Sequence, residues 1–303
     1  MLAGQKPTSA QAEPCFLNSK KLERFLLIQH FQMTTPLVSA IIPAYNRPDF
    51  LKTAVESVLT QDYPNLELIL ADDCSTADIS EAVDLVKQNN QSYLRLPENS
   101  GPAAARNLAV QHSQGEYLAF LDSDDHWLPE KISKQVLFHQ ENPEYKISQC
   151  REIWYRNNKR VNPAKKHEMQ SGNLFANAVD YCVISSSSIF MTKELYEFHG
   201  GYPEKYRICE DYALWLKITA QEQIGLVEEK LTVKHGGHTD QLSASEPALD
   251  RYRLEALLEL NKDNLSKEQQ EIVDTAIKNK AKILYLGAKK RNLPEAERYA
   301  TLI

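Results

Sequence analysis

The feature that most constrains the fold is a regular alternation of strand-like and helix-like segments between residues 37 and 140. Four short apolar segments have the length and residue content of buried strands: LVSAII (37–42), LELILA (66–71), SYLRL (92–96) and EYLAFL (116–121). Each is followed by a segment with helical periodicity or a helix start signal: 48–61, 75–88, the segment from Pro102, and 128–140. This alternation predicts an α/β fold, in which helices cover both faces of a mostly parallel sheet.

Polar side chains follow these strands at the points where the strands end. Ala44, Tyr45 and Asn46 follow the first strand, Asp72 and Asp73 the second, Asn99 the third, and FLDSDDHWLPEK (120–131) begins at the end of the fourth. In open parallel sheets, ligands bind beyond the carboxyl ends of the strands. We therefore expect the functional site at this edge of the sheet.

The rest of the chain suggests a looser continuation of the same domain. Two short strands are expected around Asn157 and Asn158, a strand-like segment at 183–191 and a helix at 210–222. From about residue 246 the pattern is helical throughout, which indicates a C-terminal helical region at 246–303 and a main domain at 34–245. Residues 1–33 are expected to form a flexible arm, and Met33 is an alternative start of the chain.

Composition and charge exclude several classes of protein. The chain has 303 residues and a net charge of −6, so it lacks the basic field of a nucleic-acid-binding protein. Five scattered cysteines without a CxxC pair indicate reduced thiols. No apolar run approaches a membrane span, and FLLI in the N-terminal stretch is too short for a signal peptide. We expect a cytoplasmic protein, with peripheral contact at the inner membrane face left open.

The three aspartates of FLDSDDHWLPEK suggest a divalent-cation site. Asp122 and Asp124 supply the carboxylate oxygens that Mg²⁺ or Mn²⁺ prefers, together with phosphate groups of a substrate. The alternative is a solvated loop in which an aspartate caps the next helix. The chain contains neither GxxxxGK[ST] nor GxGxxG, so a cation would take the place of a glycine-rich phosphate loop.

Three stretches, in order and at suitable spacing, carry a resemblance to a known family. They are VSAIIPAYNRPDFLKTAVESVLTQDYPNLELILADDCST, ENSGPAAARNLAVQHSQGEYLAFLDSDDHWLPEK and SSSSIFMTKELYEFHGGYPEKYRICEDYALWLK. Over roughly 37–245 the chain resembles the family 2 glycosyltransferases of the GT-A fold, a Rossmann-like, nucleotide-diphospho-sugar transferase architecture. The resemblance implies metal-dependent transfer of a sugar from a nucleotide sugar, usually with inversion and with UDP as the expected nucleotide. Non-processive transfer is expected from a missing signature. A QxxRW signature, typical of processive synthases, is absent.

The resemblance also implies roles for individual residues around the donor. Pro43, Ala44 and Tyr45 would line the nucleoside pocket, and Asp72 would accept a hydrogen bond from the base, with Asp73 supporting that loop. Arg106 would lie near the donor and steady its negative charge, and Ser123 would belong to the donor-binding residues. Asp122 would lie near the ribose or the metal, with Asp124 and His238 as ligands of a Mn²⁺ or Mg²⁺ ion.

On the acceptor side, Asp211 in CEDYALW resembles the catalytic base, with Glu210 as the fallback. A carboxylate in this role takes the proton of the attacking acceptor hydroxyl. Without the resemblance, the favourable interaction of acids with the dipole at a helix N-terminus is the preferred explanation. Neither Asp125 nor the nature of the acceptor is resolved by the pattern; a carbohydrate, a lipid-linked sugar or another hydroxyl compound is compatible with it.

Other functions remain to be weighed. A haloacid-dehalogenase-like phosphatase and a receiver domain place their acidic residues after the first strand, whereas here they follow the second and fourth. A sugar nucleotidylyltransferase-like enzyme needs a phosphate loop that PAYNRP does not supply, and a non-catalytic nucleotide-sugar-binding protein would not need Asp211. The basic stretch KNKAKILYLGAKKRN (278–292) favours a solvated helical face, while a membrane contact or a homo-oligomer stays open.

Overall fold

A computed structural model describes Met1 and residues 35–164, 167–238 and 248–303. The arm predicted at residues 1–33 lies outside the described residues, apart from Met1, as does the boundary predicted at residues 245 and 246. Residues 36–303 form one compact unit.

Nine strands and ten helices are found in the described residues. The strands are β1 (Val38–Ala44), β2 (Leu66–Asp72), β3 (Ser92–Arg95), β4 (Tyr117–Phe120), β5 (His126–Trp127), β6 (Ile147–Arg156), β7 (Lys159–Val161), β8 (Ile189–Thr192) and β9 (Gly225–Gly236). The helices are α1 (Pro48–Leu59), α2 (Ser80–Gln88), α3 (Pro102–His112), α4 (Lys131–Glu141), α5 (Phe175–Asp180), α6 (Lys193–Phe198), α7 (Glu210–Thr219), α8 (Asp250–Glu259), α9 (Lys267–Lys290) and α10 (Glu295–Ala300).

The strands form a single mixed sheet in the order β3-β2-β1-β4-β8-β6-β9-β5, with β7 paired to β6. The first four strands pair in parallel, as the alternation predicts. β8 then runs antiparallel to β4, and β6 runs antiparallel to β8. The predicted α/β fold with a C-terminal helical region is therefore confirmed.

Alternating residues of β1 enter two different cores, which explains why the strand is apolar along its whole length. Val38, Ala40 and Ile42 pack beneath α1, α2 and α4. Ile41 faces the other way and packs with residues of α3 and α7. Because both faces of the sheet are covered by helices, the polar groups of the central strands are exposed only where the strands end.

Helix α2 begins at Ser80, five residues later than the sequence predicted. The side chain of Asn46 accepts hydrogen bonds from the backbone N–H groups of Thr76 and Ala77, at 2.7 and 2.8 Å. Asp72 likewise accepts from the backbone N–H of Ser75 at 2.8 Å. Side chains from two strand ends thus hold this segment in a loop, and a local helix signal is overridden by tertiary hydrogen bonds.

The segment predicted as strand-like at 183–191 is only partly a strand. Ser186–Ser188 form a short 3₁₀ turn, and β8 begins at Ile189. The two strands predicted around Asn157 and Asn158 are present as β6 and β7, and both asparagines have positive φ, as a tight hairpin requires.

The C-terminal helices share a core with the rest of the molecule. Apolar residues of α8, α9 and α10 pack against α5 and α7 in one cluster, which includes Val179, Leu216, Leu257 and Ile277. Lys280, in the basic stretch, is buried and donates to the backbone carbonyl of Asp180 at 3.2 Å, so it does not belong to the solvated face. Across the described residues, no helix combines the length and apolarity needed to span a membrane.

Candidate active site

A cleft of about 740 Å³ opens at the carboxyl ends of β1 and β4. Its walls include most of the residues that the sequence predicted for the site: Pro43, Ala44, Tyr45, Arg106, Asp122, Ser123, Asp124, Glu210 and Asp211. Residues separated by about 170 positions in the chain are therefore brought to one cavity. Tyr45 is 42% exposed, which leaves its ring accessible to a ligand in the cleft.

Asp72 does not reach this cleft. Its carboxylate is fully buried and accepts hydrogen bonds from the Tyr93 hydroxyl at 2.9 Å, from the guanidinium of Arg95 and from the backbone of Ser75. All these groups belong to neighbouring loops and strands. Asp72 therefore holds the β2 and β3 ends together from behind the cleft wall.

Asp73, the next residue, lines the cleft instead. Its carboxylate accepts from the backbone N–H groups of Ser100 and Gly101 at 2.7 and 2.8 Å, and from the Asn99 amide at 2.9 Å. Burial raises the pKa of Asp73 above its usual value, although the two backbone donors oppose this rise. The structure thus places Asp73, rather than Asp72, where a bound ligand can be contacted.

Asp122, Asp124 and Asp125 follow β4 in one tight turn. One carboxylate oxygen from each lies within 4.8 Å of the others. Asp124 and Asp122 keep partial exposure to the cleft, with side chains 15% and 29% exposed. This arrangement of oxygen donors fits a hard divalent cation such as Mg²⁺ or Mn²⁺, which takes one or two carboxylates and completes its shell with water and phosphate.

Asp125 has a different environment from the other two. It is buried, and its carboxylate accepts from the Ser187 hydroxyl at 2.6 Å and from the backbone N–H of His235 at 2.9 Å. Burial raises its pKa to about 7, although Lys234 lowers it in part. Asp125 therefore ties the end of β4 to the end of β9.

A guanidinium and an imidazole lie against the carboxylate of Asp124. The guanidinium of Arg47 is 2.6 Å from Asp124, and Nε2 of His238 is 2.9 Å from the same carboxylate oxygen. The sequence placed His238 near this carboxylate and missed Arg47, which sits in the PAYNRP turn after β1. Its position directly after a strand end was the one available signal.

Arg106 joins the two sides of the cleft. It projects from α3, and its guanidinium lies 2.7 Å from Asp122 and 2.8 Å from Glu210. Its charge also lies over the ring of Tyr202, 4.7 Å from the centroid. Burial alone would lower the pKa of Arg106, but Tyr202, Asp122 and Glu210 together raise it above its ordinary value. Arg106 therefore stays charged, and its guanidinium is already paired with the carboxylates of Asp122 and Glu210.

Glu210 and Asp211 begin α7 and differ in availability. Glu210 is buried against Arg106, and burial raises its pKa to about 7 despite that ion pair. Asp211 is half-buried and accepts from the Cys182 thiol at 3.2 Å and from the backbone of Tyr212 at 2.7 Å. It has no ion-pair partner among the described residues, so its carboxylate is the freer of the two to accept a proton.

The model of glycosyl transferase family 2 matches residues 39–197, more than half of the chain. The chain belongs to family 2 of the glycosyltransferases. The matched segment contains β1 to β8, and therefore the predicted donor residues from Pro43 to Asp124. The family assignment made from the sequence motifs is confirmed.

Among curated relatives, the chain is 35% identical over 210 residues to an uncharacterized glycosyltransferase of Rickettsia felis. The aligned region covers 67% of this chain and 34% of the relative. The chain is 34% identical over 186 residues to the Escherichia coli enzyme WfaP, named as a UDP-Glc:α-D-GlcNAc-diphosphoundecaprenol β-1,3-glucosyltransferase, covering 61% of this chain and 71% of WfaP. The chain thus spans about a third of the length of its Rickettsia relative.

Solved glycosyltransferase structures share the fold. TarS of S. aureus (residues 1–349), in complex with UDP-GlcNAc, superposes with a TM-score of 0.61 at 18% identity, over 88% of this chain and 84% of TarS. The mannosyltransferase PcManGT of Pyrobaculum calidifontis, in complex with GDP-Man and Mn²⁺, gives a TM-score of 0.60 at 19% identity, over 88% and 79%. At this identity the similarity establishes the GT-A architecture.

Proposed function

We propose that this family 2 glycosyltransferase transfers one sugar at a time from a UDP-linked donor to an acceptor hydroxyl, with inversion at the anomeric carbon. The observation that carries the proposal is the single cleft with Asp73, Asp122 and Asp124 on one side and Asp211 on the other. UDP is favoured because the donor in the name of WfaP is UDP-Glc and TarS is described with UDP-GlcNAc.

The nucleoside lies between Tyr45 and Asp73 in this proposal. Tyr45 offers an exposed ring for the base, and Asp73 offers a carboxylate oriented by three donors of the Asn99–Gly101 loop. Pro43 and Ala44 complete this wall. The base-reading role expected of Asp72 passes to its neighbour because only Asp73 faces the cleft.

Asp122 and Asp124 would hold the divalent cation, with His238 beside Asp124 as a third candidate ligand. The bound cation would supply positive charge for the leaving nucleoside diphosphate. Arg106 fixes the carboxylate of Asp122 and links it to the start of α7. Ser123, on the same turn, lies within the donor side of the cleft wall.

Asp211 acts as the general base toward the acceptor hydroxyl. An alcohol becomes an effective nucleophile when a positioned carboxylate takes its proton as the new bond forms. Asp211 is exposed to the cleft and has no ion-pair partner among the described residues, whereas Glu210 is committed to Arg106. The proposed base and the donor site line the same cavity from different elements, which supports a direct displacement of the nucleotide by the acceptor hydroxyl.

A thermal-shift screen of UDP, GDP and their sugar conjugates tests donor binding. With Mn²⁺ present, UDP should raise the melting temperature of the protein, and the Asp124→Asn variant should lose the part of the increase that depends on Mn²⁺. If no nucleotide stabilises the wild-type protein in a metal-dependent way, the proposed donor and cation sites are wrong.

Transfer itself is tested with Asp211→Asn. This variant should bind UDP as the wild-type protein does and lose at least about a hundredfold in transfer rate, which is the usual contribution of a general base. The matched control is Asp180→Asn, which changes an exposed acid outside the cleft lining. Unchanged transfer by Asp211→Asn would remove Asp211 as the base, and a protein that binds UDP-sugar without any transfer would favour the non-catalytic alternative.

A further inference from the structure

The C-terminal helical region contributes directly to the cleft. Leu249, which precedes α8, and Arg253, in the first turn of α8, both line its wall. They lie beyond residues 39–197, the segment matched by the family model. This part of the wall is therefore supplied by residues to which the family assignment gives no role.

Arg253 lies on the acceptor side of the cleft. Burial raises the pKa of the Cys182 and Cys209 thiols, and the nearby charge of Arg253 offsets part of this rise. The Arg253 guanidinium is 5.9 Å from the centroid of the Tyr212 ring. All three neighbours surround Asp211: the Cys182 thiol donates to Asp211, Cys209 precedes it by two residues, and Tyr212 follows it. The guanidinium is thus placed beside the proposed base.

The hydrogen-bonding capacity of Arg253 is mostly unused. Within the described part of the chain, Nη1 donates to Asp250 at 3.2 Å, and Nε is buried without a hydrogen-bond partner. A guanidinium carries five N–H donors, and a buried donor without a partner costs free energy. Asp250 is also shared with Lys280, whose Nζ lies 3.4 Å from the same carboxylate oxygen. One carboxylate is therefore shared by two cations, and Asp250 alone does not neutralise Arg253.

We propose that Arg253 forms an anion subsite for the acceptor, which holds a phosphate or carboxylate group next to the hydroxyl that Asp211 activates. The planar fork of arginine matches such oxyanions with two parallel hydrogen bonds. Leu249, Val183 and Ile208 line the same cleft and offer apolar surface for the adjoining part of the acceptor. The acceptor is then an anionic, amphipathic molecule; this inference rests on the proposed function.

Hexyl phosphate, hexanoate and hexanol are probes that separate charge from apolar contact. Their binding is measured by titration calorimetry on the full chain saturated with UDP and Mn²⁺, so that the donor site is occupied. Hexyl phosphate or hexanoate should bind more tightly than hexanol, and Arg253→Gln should weaken the preferred anion about tenfold or more, as expected for loss of a charged hydrogen bond. Which anion binds more tightly distinguishes a phosphate-bearing acceptor from a carboxylate-bearing one.

Two variants keep the test decisive. Arg253→Lys retains the charge without the fork and should bind the anion with intermediate affinity, which also covers the case in which Arg253→Gln does not fold. Arg251→Gln, on the same helix and outside the cleft lining, should bind it as the wild type does. Equal anion affinity in the wild type and the Arg253 variants, or hexanol binding as tightly as both anions, overturns the subsite. Failure of UDP to bind would instead count against the proposed donor site.

Discussion

Replacement of Arg106 by methionine tests the charge network at the centre of the site. The substitution keeps an apolar stem of similar length and removes the guanidinium that pairs with Asp122 and Glu210. The side chain of Glu210 is only 8% exposed, so its charge would be left buried without a partner. Breaking a buried ion pair in this way costs about 3–5 kcal/mol of unfolding free energy.

This loss of unfolding free energy should depend on pH, because Glu210 becomes neutral when it takes up a proton. Its pKa in the wild type is already about 7, and the loss of Arg106 removes the main charge that lowers it. In the Arg106→Met variant, the pKa of Glu210 in the folded protein then lies further above its pKa in the unfolded chain. The variant therefore loses stability relative to the wild type as pH rises. The slope is at most about 1.4 kcal/mol per pH unit for one group.

Urea unfolding monitored by tryptophan fluorescence at pH 6, 7 and 8 measures both effects. Arg106→Met should be more destabilised at pH 8 than at pH 6, and Glu210→Gln in the same chain should recover part of the loss. Arg298→Met, which breaks the exposed pair with Glu255, is the control and should cost no more than about 1 kcal/mol. An Arg106→Met cost as small as this control, with no dependence on pH, would refute the reasoning.

Three further predictions follow from other parts of the structure. His139 is buried, and burial lowers its pKa to about 4. Because the unfolded histidine binds a proton near pH 6.5, the free energy of unfolding should fall by about 2 kcal/mol between pH 7.5 and pH 5. In equilibrium unfolding experiments, His139→Gln should abolish this decrease. Gly115→Ala should cost about 1–3 kcal/mol in the same assay, because a Cβ there would lie 2.6 Å from the backbone nitrogen of Ser39; an unchanged midpoint would contradict this. Asp73→Asn should weaken UDP binding about tenfold in calorimetry, as expected for loss of a charged hydrogen bond, and an unchanged dissociation constant would exclude Asp73 from the base pocket.

Strand and helix positions in the first half of the chain were predictable because the periodicity of apolar residues reflects burial. β1, buried on both faces, is apolar throughout, and α1 begins at Pro48 as its sequence indicates. The late start of α2 was not predictable, because the groups that hold Ser75 to Ala77 in a loop come from Asn46 and Asp72, on different strand ends.

In the candidate site, too, some features were predictable from the sequence and others were not. The sequence singled out the aspartates after β4 and the acids that start α7, and the fold brings both to one cleft. Which member of each acidic pair faces the cavity depended on packing. Asp72 pairs with Arg95 and Tyr93, while the buried Asp73 lines the cleft. Glu210 pairs with Arg106, while Asp211 has no ion pair in the described residues.

Asp125 illustrates what only tertiary structure can decide. Its position in the sequence is compatible with a metal ligand, a donor contact or a helix cap, since each needs only a carboxylate after a strand. In the folded chain its oxygens meet Ser187 and the backbone of His235, which lie more than sixty residues further along. The sequence alone determined the α/β architecture, the family and the sheet edge where the candidate site is expected, because these depend on local periodicity and ordered motifs. The role of each carboxylate depends on partners distant in the chain, and folding alone brings those partners together.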